Sequence, residues 1–84
     1  MANLAKNIKL KVLNARYGSP SSYIDVTSIL GTNIRNNQLE VRVTNGFFGN
    51  DPHPGISKIL SVKYSLGKKE HSKDIKEGET LKLP

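Results

Sequence analysis

The sequence predicts an all-β domain: a compact antiparallel β-sandwich of five to six short strands, Ig-like or a small open barrel, with at most one helical turn. Three observations lead there. Apolar and polar residues alternate over short runs, the period of a half-buried strand. Gly, Pro, Asn and Ser gather between those runs, as turns require. Only one short segment carries helix start and stop signals.

The first strand runs from Asn7 to Tyr17, with Ile8, Leu10 and Val12 on one face and Lys9 and Lys11 on the other. After Val12 the apolar positions move to Leu13, Ala15 and Tyr17, which places a β-bulge or a switch of sheet near Val12-Leu13. Gly18-Ser19-Pro20-Ser21-Ser22 turns the chain into a short extended segment, Tyr23-Ile24-Asp25-Val26. Thr27 is placed to cap one helical turn through Ser28-Ile29-Leu30, which Gly31 stops. From Gln38 to Thr44, Leu39, Val41 and Val43 alternate with Glu40 and Arg42. Asn45–Gly55 is a long loop rich in Gly and Pro. Leu60, Val62, Tyr64 and Leu66 mark the next strand, Gly67-Lys68 a tight turn, and Lys69–Ile75 a polar edge strand. Glu77-Gly78 turns once more into a last strand, Thr80–Leu83, with Leu81 and Leu83 inward.

An 84-residue chain has room for one core, because a domain this small buries only about 60–65% of its unfolded surface. One module over residues 1–84 is expected, with 1–6 as a disordered tail. The absence of cysteine removes disulfides, thiolate metal sites and cysteine nucleophiles as options. No stretch reaches the length of an apolar membrane span, no signal-peptide core is present, and no Asn-x-Ser/Thr acceptor occurs. The expectation is a cytoplasmic protein, although a domain excised from a larger or secreted chain would read the same way. Thirteen Lys and Arg against seven Asp and Glu leave a net charge of +6, enough to attract nucleic acid or another polyanion. The basic residues are scattered, however, and Lys68-Lys69 is the only adjacent pair. Scattered lysines on strands read first as a solvated face that protects sheet edges.

Catalysis finds few candidates: His53 lies between two prolines, His71 on a lysine-rich edge, and no spacing recommends a triad or a carboxylate pair. The expectation is a non-enzymatic protein without cofactor. Asp51 and His53 fall short of a metal site even with Asn45 and Asn50 beside them, and the loop glycines match no phosphate-binding motif. The central loop instead reads as a contact surface. Pro52 and Pro54 stiffen it. Phe47 and Phe48, if extended, point to opposite sides, one into the core and one toward solvent or a partner; the alternative is that both pack inside as a lid. Phe47, Phe48, Asn50, Asp51, His53 and, from the neighbouring turn, Tyr23 are the candidate ligand-binding residues.

Five segments occur in a familiar order: Ala15-Arg16-Tyr17-Gly18, Tyr23-Ile24-Asp25-Val26-Thr27, the loop Asn45–Gly55 with its Asp51-Pro52-His53-Pro54-Gly55, Lys58–Tyr64, and Glu77-Gly78-Glu79-Thr80-Leu81. Over roughly residues 8–84 the chain resembles the C-terminal domain of unknown function of the DnaJ-like, subfamily C, member eleven group of J-proteins. The resemblance implies an accessory interaction role. It transfers no catalytic or binding residue, and the His-Pro-Asp signature of a J-domain does not occur in these residues. The leading expectation is a binding module that recognises a protein or a glycan, in lectin fashion, through the central loop. A polyanion or nucleic-acid binder that uses the positive charge, and a self-associating structural protein, are the competing readings.

Overall fold

A computed structural model of the protein describes residues 9–84. The tail expected at 1–6, and Asn7 and Ile8 at the head of the first expected strand, lie outside the described residues. The chain forms β1 (Leu10–Ser19), β2 (Ser22–Asp25), α1 (Thr27–Thr32), β3 (Leu39–Arg42), α2 (Asn45–Phe48), β4 (Ile59–Leu66), β5 (Lys69–Lys76) and β6 (Thr80–Leu83). Strands β2, β1, β4 and β5 make one antiparallel sheet in that order, and β3 pairs with β6 in a second. The protein is thus an all-β sandwich, as its alternation predicts.

The bulge sits where the phase of the sequence changes. The register of β1 against β4 shifts between Val12 and Asn14, which leaves Leu13 as the extra residue. Leu10 and Val12 before it, and Ala15 and Tyr17 after it, therefore all turn into one core. Without the bulge, the second half of β1 would present its apolar side chains to water. Leu60, Val62 and Tyr64 of β4 face the same core, and Leu39, Val41, Val43, Leu81 and Leu83 close it from the opposite sheet.

At the end of β1, Gly18 holds a φ of 154° and leaves no room for a side chain: a Cβ there would lie 2.3 Å from the Ser22 carbonyl oxygen. The turn can close only because this residue is glycine. Ser19 Oγ accepts the Ser22 N–H at 3.1 Å and completes it.

Three local features differ from expectation. Thr27 does not cap α1; the Asp25 carboxylate accepts the Thr27 N–H at 2.9 Å, while the Thr27 hydroxyl accepts the Ala15 N–H at 2.9 Å and ties the helix to β1. Nor does Gly31 stop the helix, which continues to Thr32 and ends where the Asn33 side chain donates to the Ile29 carbonyl at 2.7 Å. The second difference is a further helical turn, α2, inside what reads as loop. Its signals are Thr44, whose hydroxyl accepts the Phe47 N–H at 3.0 Å, and Gly49, left-handed with φ 74°. Thr44 is β-branched and follows an alternating run, so it reads as strand although it serves as a cap. Third, Asn36 and Asn37, at φ 53° and 59°, make a tight turn closed by Arg35 N–H to Gln38 O at 2.8 Å and Gln38 N–H to Arg35 O at 2.9 Å.

Two glycines give opposite expectations. Gly18→Ala, which forces a Cβ into backbone, lowers unfolding free energy by at least about 2 kcal/mol. Gly31→Ala, inside a helix and with nothing within 4 Å of the new Cβ, raises it by about 0.5–1 kcal/mol. Urea unfolding of the two variants measures both.

Candidate binding site

Lys58 has the same parity as Leu60, Val62 and Tyr64, so the alternation of β4 carries its side chain inward, where it is 3% exposed. A buried ammonium has three donors to satisfy and a charge to neutralise. Lys58 Nζ donates to the Ile56 carbonyl at 2.6 Å, the His53 carbonyl at 3.1 Å and Asp51 Oδ1 at 2.8 Å, with Glu77 Oε1 at 3.5 Å. The backbone repeats the tie: Glu77 N–H donates to Lys58 O at 2.9 Å, and Lys58 N–H to Glu77 Oε1 at 3.0 Å. The loop after α2 thus wraps around a cation that the protein supplies itself. Its acceptors are the oxygens a metal ion would use.

This arrangement moves both partners' protonation. The hydrogen bond from Lys58 holds the Asp51 carboxyl below its ordinary value of 3.8, and the same bond holds the Lys58 ammonium above its ordinary 10.5. A lowered carboxyl contributes stability that is present above 3.8 and lost as pH falls through the folded-state value; a raised ammonium contributes stability present below 10.5 and lost as pH rises beyond it. Asp25, lowered mainly by its hydrogen bond with Thr27, adds to the acid limb. Tyr17, raised mainly by burial, adds to the alkaline limb.

The loop is also stitched to the β1–β2 turn. Ser19 Oγ meets His53 Nδ1 at 2.7 Å, the Ser22 hydroxyl donates to the Pro52 carbonyl at 2.5 Å, and the Tyr17 hydroxyl donates to Asn45 Oδ1 at 2.5 Å. His53 N–H in turn donates to Asp51 Oδ1 at 3.2 Å. Loop and turn, which lie far apart in sequence, form one surface.

Beside that junction, on the outer face of the four-stranded sheet, lies an open groove of about 370 Å³. Register explains it. Tyr23, Gly18, Ile59 and Lys76 stand in one row across the four strands, and Asp25, Arg16, Ser61 and Asp74 in the next. Gly18 lines the floor between Tyr23 and Ile59, and Ile56 from the end of the loop adds a further wall. These three are the large apolar side chains left exposed among the described residues: Tyr23 at 48%, Ile56 at 46% and Ile59 at 44%. The Arg16 guanidinium lies over the Tyr23 ring, 4.7 Å from its centre.

The six candidate residues thus take different roles. Tyr23 lines the groove. Phe48 is buried, 4.5 Å from the Tyr17 ring centre, and Phe47 is half-buried and packs edge-on against it at 5.0 Å. A helical turn sets neighbours about 100° apart rather than opposite, so both rings lean on the core. Asn50 is exposed, with its N–H bonded to the Asn45 carbonyl at 3.2 Å. Asp51 and His53 are committed to Lys58 and Ser19. Ile56, Ile59 and Lys58 are additions. Ile59 was findable, because it precedes the inward Leu60 and must point out; Lys58 was findable by the same parity.

Fold and site together define a small all-β sandwich module with a stiff, internally bonded loop beside an exposed apolar groove. The chain belongs to the DnaJ-like protein C11, C-terminal family, whose model matches residues 6–84. No curated protein and no solved structure matches it.

Lys58→Met lowers the melting temperature at neutral pH by at least about 5 °C, since it leaves Asp51 without its counter-charge. The gap to the natural protein narrows as pH falls below 3.8 and Asp51 becomes neutral. Lys63→Met, which removes the exposed 3.4 Å pair with Glu70, leaves the midpoint nearly unchanged. Thermal melts from pH 2 to pH 8 check all three.

Proposed function

We infer that the protein is a non-enzymatic protein-binding module, and that its contact surface is the groove where the central loop meets the β1–β2 turn. The single observation that carries this reading is the clustering of Tyr23, Ile56 and Ile59 around one groove beside Gly18. Isolated exposed apolar residues need no explanation; three large ones around one concavity are the composition of an interface centre. The occupant this groove suits is a segment of another protein that inserts one or two apolar side chains. Arg16 and Asp74 stand at its margin with opposite charges, and Ser19, Ser57 and Ser61 add hydroxyls. Such a rim meets both the N–H and the C=O groups of a peptide.

Two features favour protein over glycan. A sugar platform needs an open aromatic face, but Arg16 lies over Tyr23, and Phe47 and Phe48 pack against each other and the core. The central loop therefore enters as a scaffold: it delivers Ile56, while Lys58, Ser19 and Ser22 hold it still. Pre-ordering of this kind reduces the entropy lost on contact. The commitment of His53 to Ser19 and of Asp51 to Lys58 supports a non-catalytic reading.

Selection of peptides from a displayed random library checks the assignment. The expected result is a set of binders that share an apolar anchor and lose at least about tenfold in affinity, or about 1.4 kcal/mol, to Ile59→Asp, a change at an exposed position that leaves the melting temperature within a few degrees. Peptides that bind the variant equally well, or a sugar-dependent signal on a glycan array, contradict it.

A further inference from the structure

On the far side of the same sheet, β5 is the outermost strand and, among the described residues, pairs only with β4. Seven of its eight residues are exposed, Ile75 being the exception. The Glu77 N–H to Lys58 O bond sets the phase of the ladder. Antiparallel pairs alternate, so Ile75, Lys73, His71 and Lys69 turn their backbone groups toward β4. Glu70, Ser72, Asp74 and Lys76 then turn theirs to the open edge. The two-residue connection Gly67-Lys68 agrees, since it closes on the pair Leu66 and Lys69.

The side chains divide in the same way. Lys69, His71 and Lys73 share the inner side of β5 with Ile75. The second sheet has two strands against four and does not reach over them, so all three are exposed. His71 stacks on Tyr64 at 5.4 Å, and Lys73 Nζ reaches the Lys82 carbonyl of β6 at 3.5 Å. The opposite side carries Glu70, Ser72, Asp74 and Lys76.

We propose that β5 is an acceptor edge for an extended acidic segment of another protein, which adds as a fifth strand and sets alternate carboxylates beside Lys69, His71 and Lys73. An added strand keeps the spacing of its host, about 7 Å between alternate residues, and brings facing Cβ atoms to about 5 Å. Every second partner side chain therefore falls beside the same inner row. The partner's other side chains fall beside Glu70 and Asp74, where further acids are repelled, so the pattern recognised is an acid alternating with a neutral or basic residue. Lysines on an edge keep like strands apart. A second copy would bring Lys69 and Lys73 against another basic edge, whereas an acidic segment turns the repulsion into attraction. Main-chain hydrogen bonds supply affinity and the alternating charge supplies selectivity.

The test is amide NMR of the full chain with two eight-residue peptides of one composition, Glu and Thr strictly alternating or the four Glu in one block. The alternating peptide is expected to shift and protect the amides of Glu70, Ser72, Asp74 and Lys76, and to bind at least about tenfold more tightly than the block peptide. Ser72→Pro removes an edge-facing N–H but no β4 bond, and abolishes binding; Lys69→Glu with Lys73→Glu weakens it at least about tenfold and keeps the proposal testable if the proline variant fails to fold. Equal binding of the block peptide or of a heparin fragment at these amides reduces the site to general attraction of polyanions and overturns the proposal. So do unchanged binding by the folded Ser72→Pro variant and concentration-dependent shifts of the same amides without peptide, which indicate self-pairing.

Discussion

The ammonium of Lys58 is the constraint on which the rest of this structure depends. It comes from the residue just before β4, in phase with that strand's inward positions, in a domain too small to bury a charge cheaply, and gathers oxygens from Asp51, His53, Ile56 and Glu77. Those groups belong to the central loop, to the residues that follow it and to the turn between β5 and β6. A cation at that point gives the loop a fixed curvature, much as a bound metal does in proteins that recruit one. The path of the loop then determines where Ile56 stands relative to Ile59, and so whether the groove exists.

The second determinant is unequal size. One sheet has four strands and the other two, so β3 and β6 cover only part of the larger sheet. Over part of the remainder lie Val26, just before α1, Leu30 of α1 and Phe48 of α2, all buried. Among the described residues nothing comparable covers the inner side of β5 beyond Ile75, and the residues there are polar and basic in consequence. An exposed edge and a basic inner row thus have one origin. The groove on the outer face has another, the glycine that lets the β1–β2 turn close. The two surfaces have different origins in one small fold and adjoin at Asp74 of β5.

Much of this was legible in the residues. Alternation placed β1, β3, β4 and β6, the turn cluster at Gly18–Ser22 set off β2, the change of phase at Val12-Leu13 marked the bulge, and the polar run from Lys69 marked β5 as an edge. What escaped was local and turned on side chains that bond to backbone. Thr44 caps α2 from a position that reads as strand, the Asp25 carboxylate accepts the first N–H of α1 from the end of β2, and Asn36-Asn37 turns the chain without the usual glycine. At the site, the loop and the turn were both marked as contact regions, and they do meet. The roles within them could not be read, because composition does not say whether Asp51 and His53 face a ligand or each other's neighbours. Lys58 was the avoidable omission: its parity with Leu60 points inward, but a lysine on a strand reads as surface, and the counter-charges that permit its burial lie seven residues before and nineteen after it.

The central claim is that one buried ammonium organises the loop and the groove. It is tested most directly by observing that ammonium, through nitrogen-15 NMR of the lysine side chains across a titration from pH 6 to pH 12. The account predicts a Lys58 Nζ signal that persists at neutral pH with slow proton exchange and titrates above the ordinary 10.5. A Lys58 ammonium whose protons exchange too fast to be seen at neutral pH, or one that titrates at or below 10.5, would contradict it.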